Sequence, residues 1–165
     1  VDDRQSYLPR RTLRQVIADQ ATKDLLGAKV VTKMVEPRGV LAASTADQPG
    51  FPTDIITLGK SVGADLVVYV TVDGFSLSPD RQSYNPSARV RVKVVDGVDE
   101  KGRVWPDDIR GHPLDVIMGE RAGAMPDSPA MIIAAEDRLG AEVGQRVAEL
   151  FYSHEPNVGK VDRSK

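Results

Sequence analysis

The sequence predicts an α/β domain in which a mixed β-sheet of about four to five strands is covered by two long helices and one short helix. Two long segments repeat apolar residues at three- and four-residue spacing, a β-branched run lies between them, and another segment alternates valine with cations. The 165 residues suit a single α/β domain over residues 1–156. Residues 1–8 are expected to be flexible or to lack a first strand, and residues 157–165 to form a disordered tail.

Composition excludes several classes of site. The chain has 22 Lys and Arg against 24 Asp and Glu, a formal charge of −2, and no cysteine. This charge disfavours nonspecific nucleic-acid binding, which needs a clearly basic surface. Without cysteine there is no disulfide framework, zinc knuckle, iron–sulfur cluster or cysteine nucleophile. No apolar run approaches the roughly 18–20 residues of a membrane span.

The first long helix is predicted from Pro9 to Leu26. Its apolar stripe consists of Leu13, Val16, Ile17, Ala21 and Leu25. Pro9 suits the first helical turn, and Gly27 suits a left-handed stop. Lys29–Val35 then predicts a short strand, and residues 42–52 predict a connection.

The next segment predicts a short helix followed at once by a strand. Thr53 or Asp54 can cap this helix, which runs through Ser61 and is closed by Gly63. The strand is Leu66–Val72, and both of its side-chain sets are largely apolar. Since such a strand is typically covered on both faces, it is predicted at the centre of the sheet.

The remaining elements are a hairpin, a further strand and a closing helix. A turn signal at residues 99–102 predicts a hairpin to Arg103–Trp105, and Pro113–Met118 is a candidate strand. Ser128 as N-cap and Pro129 at the first position begin the last helix. Its apolar stripe consists of Ile132, Ala135, Leu139, Val143, Val147 and Leu150.

The strand that enters the hairpin carries a row of cations. Ala88–Val94 alternates, with valines on one face and Arg89, Arg91 and Lys93 on the other. Such a row can form a partner-binding face that docks an acidic partner or a polyanion. Alternatively it is a solvated strand face whose charges are offset by carboxylates on the neighbouring strand.

If the protein is an enzyme, the candidate active site in the sequence is the segment of residues 107–115. Asp107, Asp108, His112 and Asp115 offer a metal-dependent hydrolase its ligands, but their spacing matches no metal motif. The alternative is a solvated turn. There is no Gly-x-Ser-x-Gly elbow, and the run Gly59–Gly63 lacks the preceding strand of a phosphate loop. No catalytic residue, cofactor or metal is therefore assigned, and a small-ligand or nucleic-acid-binding module is a further alternative.

Several of these segments together resemble a known group. The run Leu58–Val70, with Gly63, Ala64 and Asp65 at the turn from helix to strand, is similar to a signature of bacterial envelope proteins. The following hairpin and the closing helix also resemble that group. It includes the penicillin-binding-protein activator LpoB, the curli secretion component CsgG and the amino-terminal domain of TolB.

The resemblance implies a fold, a location and a mode of action. The fold would be an anticodon-binding-domain-like sandwich, and the protein a non-enzymatic part of the cell envelope. It implies the soluble domain of a lipoprotein on the periplasmic side of the cell envelope, attached to the outer membrane only through a lipid anchor outside the given residues. The implied partner is a protein, for example of the envelope-assembly machinery, and no nucleic acid is expected.

Overall fold

The α/β fold class is confirmed by the structure. The computed structural model describes residues 11–40, 55–78, 83–98, 103–119 and 124–153. The elements in chain order are α1 (Arg11–Gly27), α2 (Ile55–Val62), β1 (Leu66–Ser76), β2 (Ser87–Asp96), β3 (Arg103–Trp105), β4 (His112–Ile117) and α3 (Pro129–Glu149). A helical turn also occupies residues 37–40. The predicted connection 42–52, residues 1–8 and the tail 157–165 lie outside the described residues.

The sheet has β2 at its centre. β1 pairs antiparallel with β2 along one edge, from Leu66 opposite Asp96 to Ser76 opposite Ser87. β4 and the short β3 pair antiparallel with the other edge, one after the other. Every pairing among the described strands is therefore antiparallel, and the mixed sheet was a wrong expectation.

Among the described strands, Leu66–Val72 lies at an edge of the sheet and not at the predicted centre. Within the described part of the chain β1 has one paired neighbour, β2, whereas β2 is paired along both edges. A strand that is largely apolar on both faces is typical of burial on both faces. The order of strands in the sheet, however, depends on which backbones pair. The apolar content of one strand does not indicate that order.

The core lies on one face of the sheet, here called the inner face. Val90, Val92 and Val94 of β2 point to it and are buried, as strict alternation predicts. The helical residues that pack there are Leu13, Ile17, Leu139, Val143 and Val147. The two apolar stripes are thus confirmed, except that Ile132 at the start of α3 is exposed.

The helices α1 and α3 pack closely through two glycines. A Cβ atom on Gly140 would lie 2.6 Å from Leu13 Cδ1. One on Gly144 would lie 2.5 Å from the carbonyl oxygen of Ile17. Because both positions lack a side chain, the backbone of α1 can approach that of α3.

The corner between α2 and β1 has the predicted form. Gly63 has φ of +67°, the left-handed conformation that ends the helix. Ala64 N–H donates to the Gly59 carbonyl at 3.0 Å, and Gly97 N–H donates to the Asp65 carbonyl at 2.8 Å. The corner is therefore fixed to the end of β2 as well as to its own helix.

Two local predictions near the helix ends have different outcomes. Ser128 caps α3, since its side chain accepts from Met131 N–H. The strand predicted at Lys29–Val35 is wrong, because these residues form a turn and irregular chain. Lys29, with φ of 56°, takes the left-handed conformation that had been expected at Gly27.

Candidate binding face

The predicted cationic row lies on the face of the sheet opposite the core, here called the outer face. Antiparallel partners share a face, so the register places Arg89, Arg91 and Lys93 together with Asp115 of β4 and Tyr69 of β1. Arg89 is exposed, and Arg91 and Lys93 are half-buried. The alternation of valine and cations along β2 predicts that these three side chains point to the face opposite the valines.

Arg89 is paired with a carboxylate on the next strand. Its Nε donates to Asp115 Oδ1 at 2.7 Å, and Asp115 is its direct partner in the β2–β4 register. The hydrogen bond and the negative charge of Asp115 raise the pKa of Arg89 above its ordinary value. Both side chains are largely exposed, so this pair orients the groups more than it stabilises the fold.

Arg91 makes the more ordered pair, with Asp73 of β1. Its Nε and Nη2 atoms donate to the two carboxylate oxygens, each at 2.6 Å. This two-point contact fixes the plane of the guanidinium and raises the pKa of Arg91. Asp73 reaches it because the β1–β2 register shifts between Val72 and Gly74.

Lys93 differs from the two arginines. Its stem packs against the backbone of Gly111, where an added Cβ would lie 3.0 Å from Lys93 Cγ. Its register partner is Tyr69, whose side chain is partly exposed. With the residues that the structure describes, Lys93 forms no ion pair.

The outer face therefore presents a mixed array of charges. Three cations stand with two carboxylates, and the carboxylates come from the strands on both sides of β2. The reading in which neighbouring carboxylates offset the row agrees with this geometry for Arg89 and Arg91. The short helix α2 lies against Val67, at the end of this face, since an added Cβ on Gly59 would lie 2.9 Å from Val67 Cγ2.

The candidate hydrolase residues are separated by the fold. His112 is the register partner of Val92 and thus faces the core, while Asp115 lies on the outer face with Arg89. Asp108 accepts from the backbone N–H of Arg110 at 2.8 Å in an exposed turn. Among the described residues, no group of three or more His, Cys, Asp or Glu side chains has the arrangement of a metal site.

His112 also differs from the solvated turn residue that the sequence had suggested. Its ring lies 5.0 Å from that of Trp105, and Trp105 in turn meets Phe151 edge-on at 5.9 Å. His112 and Trp105 lie beside Val92 and Val94 on the neighbouring strands, so the rings cover the inner face along the β3–β4 side of the core. This cluster joins β3, β4 and the end of α3, and no local sequence pattern signals it.

None of the helices in the described ranges is long and apolar enough to cross a membrane. Comparisons with protein-family models, curated proteins and solved structures find no match to the chain. The resemblance to the LpoB, CsgG and TolB group therefore stays a prediction from sequence motifs.

Proposed function

We propose that this domain works without catalysis, by binding another macromolecule through the outer face of its sheet. The observation that supports the proposal is the array formed by Arg89–Asp115, Arg91–Asp73 and Lys93. Its charged groups stand on three paired strands, so they are positioned before a partner arrives. Pre-positioned groups lose less conformational entropy on binding than free surface side chains do.

A protein is the class of partner that fits this face best. A polyanion selects a uniformly basic surface, whereas alternating guanidinium and carboxylate groups match a partner with complementary charges of both signs. The total formal charge of −2 favours the same choice. On the basis of the motif resemblance, we propose that the protein acts in the cell envelope and that its partner is a component of envelope assembly.

The test exchanges charges without removing the ion pairs. In one variant Arg89→Asp is combined with Asp115→Arg, and in a second Arg91→Asp is combined with Asp73→Arg. Each keeps the net charge and an oppositely charged pair but reverses the local pattern. The matched control exchanges Asp19 and Lys23, two exposed residues one helical turn apart on α1, which packs against α3 and away from the outer face.

The measurement has two stages. Each protein serves as bait in a bacterial envelope extract, and the partner recovered by the unmodified chain is then purified for association kinetics at two salt concentrations. We expect the outer-face exchanges to lower recovery and the association rate, and the control to keep both. Equal recovery and equal rates for all variants would contradict the proposal.

A further inference from the structure

The two edges of the sheet are built differently. The β3–β4 edge is divided into two short strands, and β4 carries Pro113 and Asp115. Short strands, proline and charge are devices that prevent an edge from pairing with another chain. The β1 edge is a single strand of 11 residues, and Leu66–Val72 within it contains no charge, proline or glycine.

The unprotected stretch of β1 also exposes apolar side chains on both faces. Leu66 is 55% exposed and Val68 is 36% exposed on the inner side, and Tyr69 is 40% exposed on the outer side. Side chains farther along β1, such as Val70 and Val72, pack against the core. The exposed apolar surface is thus concentrated at the same end of β1 where its second edge has no described pairing partner.

From this contrast we propose that β1 pairs antiparallel with β1 of a second copy of the chain, giving a two-fold symmetric dimer. An isologous contact requires a strand that complements itself. A register centred on Val68 places Val68 opposite its own copy, Leu66 opposite Val70, and Val67 opposite Tyr69. All of these pairs are apolar or aromatic, the kinds of cross-strand pair that stabilise sheets.

Charge disfavours one of the two neighbouring registers. Centring the pair on Tyr69 would place Asp65 directly opposite Asp73, and like charges directly opposite are destabilising. Centring it on Val68 places Asp65 opposite Thr71 and leaves Asp73 beyond the paired stretch. The ion pair between Asp73 and Arg91 is then undisturbed.

The dimer would be one continuous sheet. A two-fold axis perpendicular to the sheet keeps the inner faces of both copies on the same side, so each helical layer lies beside the other. The exposed Leu66 and Val68 of both copies come together next to these layers. The outer faces also become continuous, but this pairing does not depend on whether they bind a partner.

The first test measures the oligomeric state of the full chain by sedimentation over a range of concentrations. We expect a dimer whose dissociation constant rises at least about tenfold in the Val68→Lys variant, a change of about 1.4 kcal/mol. Leu66→Lys, at a more exposed position of β1, should act in the same direction. The matched control is Ile117→Lys on the opposite edge of the sheet, where the side chain is 60% exposed.

Circular dichroism establishes that each lysine variant is folded, so that loss of the dimer is not loss of the fold. A chain that stays monomeric at every concentration would overturn the proposal, whether β1 is covered by another part of the chain or by a different protein. A dimer that is insensitive to both β1 changes, or that is weakened by Ile117→Lys instead, would overturn it as well.

The second test uses the absence of cysteine from the chain. Directly opposed residues in antiparallel strands have Cα atoms about 4.5–5.5 Å apart, within the range that a disulfide spans. Val68→Cys should therefore form a covalent dimer under mild oxidation, and Ile117→Cys should not. A Val68→Cys protein that dimerises but never cross-links would exclude the register centred on Val68.

Discussion

Gly144 of α3 lies directly against the backbone of Ile17 in α1. A Cβ atom on this glycine would stand 2.5 Å from the Ile17 carbonyl oxygen and 3.1 Å from the backbone nitrogen of Ala21. These are backbone atoms of a helix, so they cannot turn away as the end of a flexible side chain can. The separation of the two long helices is therefore set by a position that has no side chain.

Gly144→Ala should destabilise the protein although alanine is the better helix former. The helices must move apart to admit one methyl group, and overpacking of this kind costs about 1–3 kcal/mol. Thermal and denaturant unfolding measure the loss. The matched control is Gly27→Ala, where an added Cβ meets nothing within 4 Å, and which should leave stability unchanged or slightly higher. Equal stability of both variants would show that α1 does not approach α3 at Gly144.

Gly97 is another position where close approach of the backbone leaves no room for a side chain. A Cβ there would collide with the Ala64 carbonyl, in the corner held by the hydrogen bond from Gly97 N–H to Asp65. We expect Gly97→Ala to cost about 2 kcal/mol or more, because the Ala64 carbonyl belongs to the backbone and cannot turn away from the added Cβ. Gly74→Ala in β1, whose nearest contact would be 4.0 Å away, is the control and should change stability little. A Gly97→Ala midpoint matching that of Gly74→Ala would argue against this corner.

Removal of the His112 ring should affect both stability and fluorescence. The ring packs at 5.0 Å from Trp105, the one tryptophan of the chain, so His112→Ala uncovers that indole. The expected cost is about 1 kcal/mol, in the range measured for aromatic pairs, with tryptophan emission moving to longer wavelength. Asp107→Ala, in the exposed turn between the two rings, should change neither quantity. Unchanged emission in His112→Ala would place the histidine away from Trp105.

The raised pKa of Tyr152 predicts how the free energy of unfolding depends on pH in the alkaline range. Burial first, and then the negative charges of Asp24 and Glu149, raise the pKa of its phenol above the ordinary value of 10.0. A group whose pKa is raised by folding contributes stability that is complete below its unfolded pKa and is lost as pH rises through the folded pKa. Stability should therefore fall above about pH 10, and more steeply than in Tyr152→Phe.

The informative quantity is the difference between the two pH profiles, since lysines and other tyrosines titrate in both proteins. Any hydrogen bond lost with the hydroxyl shifts the Tyr152→Phe profile by a constant amount below pH 10 and does not alter its slope there. Parallel profiles through the alkaline range would show that folding leaves the ionisation of Tyr152 unchanged.

Local patterns predicted most of the elements. The stripes containing Leu13 and Val143 follow the helical period, and the Ser128 cap and the stop at Gly63 depend on residues within one turn. The orientation of Arg89 follows from alternation along β2. In each case the physical cause acts over a few residues, so the sequence contains all of it.

The errors concern relations between distant segments. The seven apolar or polar uncharged residues of Leu66–Val72 indicate a strand, but not whether one or two strands pair with it. Lys29–Val35 has strand-forming residues but is not paired with any strand of the described sheet. His112 and Asp115 are close in sequence, yet alternation in β4 sends them to opposite faces.

The two amphipathic helices, the corner at Gly63 and the two-sided pattern of β2 follow from local sequence, because propensity, capping and periodicity are local properties. In contrast, the placement of Asp73 and Asp115 beside Arg91 and Arg89 arises only in the folded chain, and so does the pairing of β1 along one edge among the described strands. Those outcomes depend on strand order and register. Strand order and register are set by which backbones pair and by how the inner faces pack together. Neither can be inferred from the sequence of a single segment.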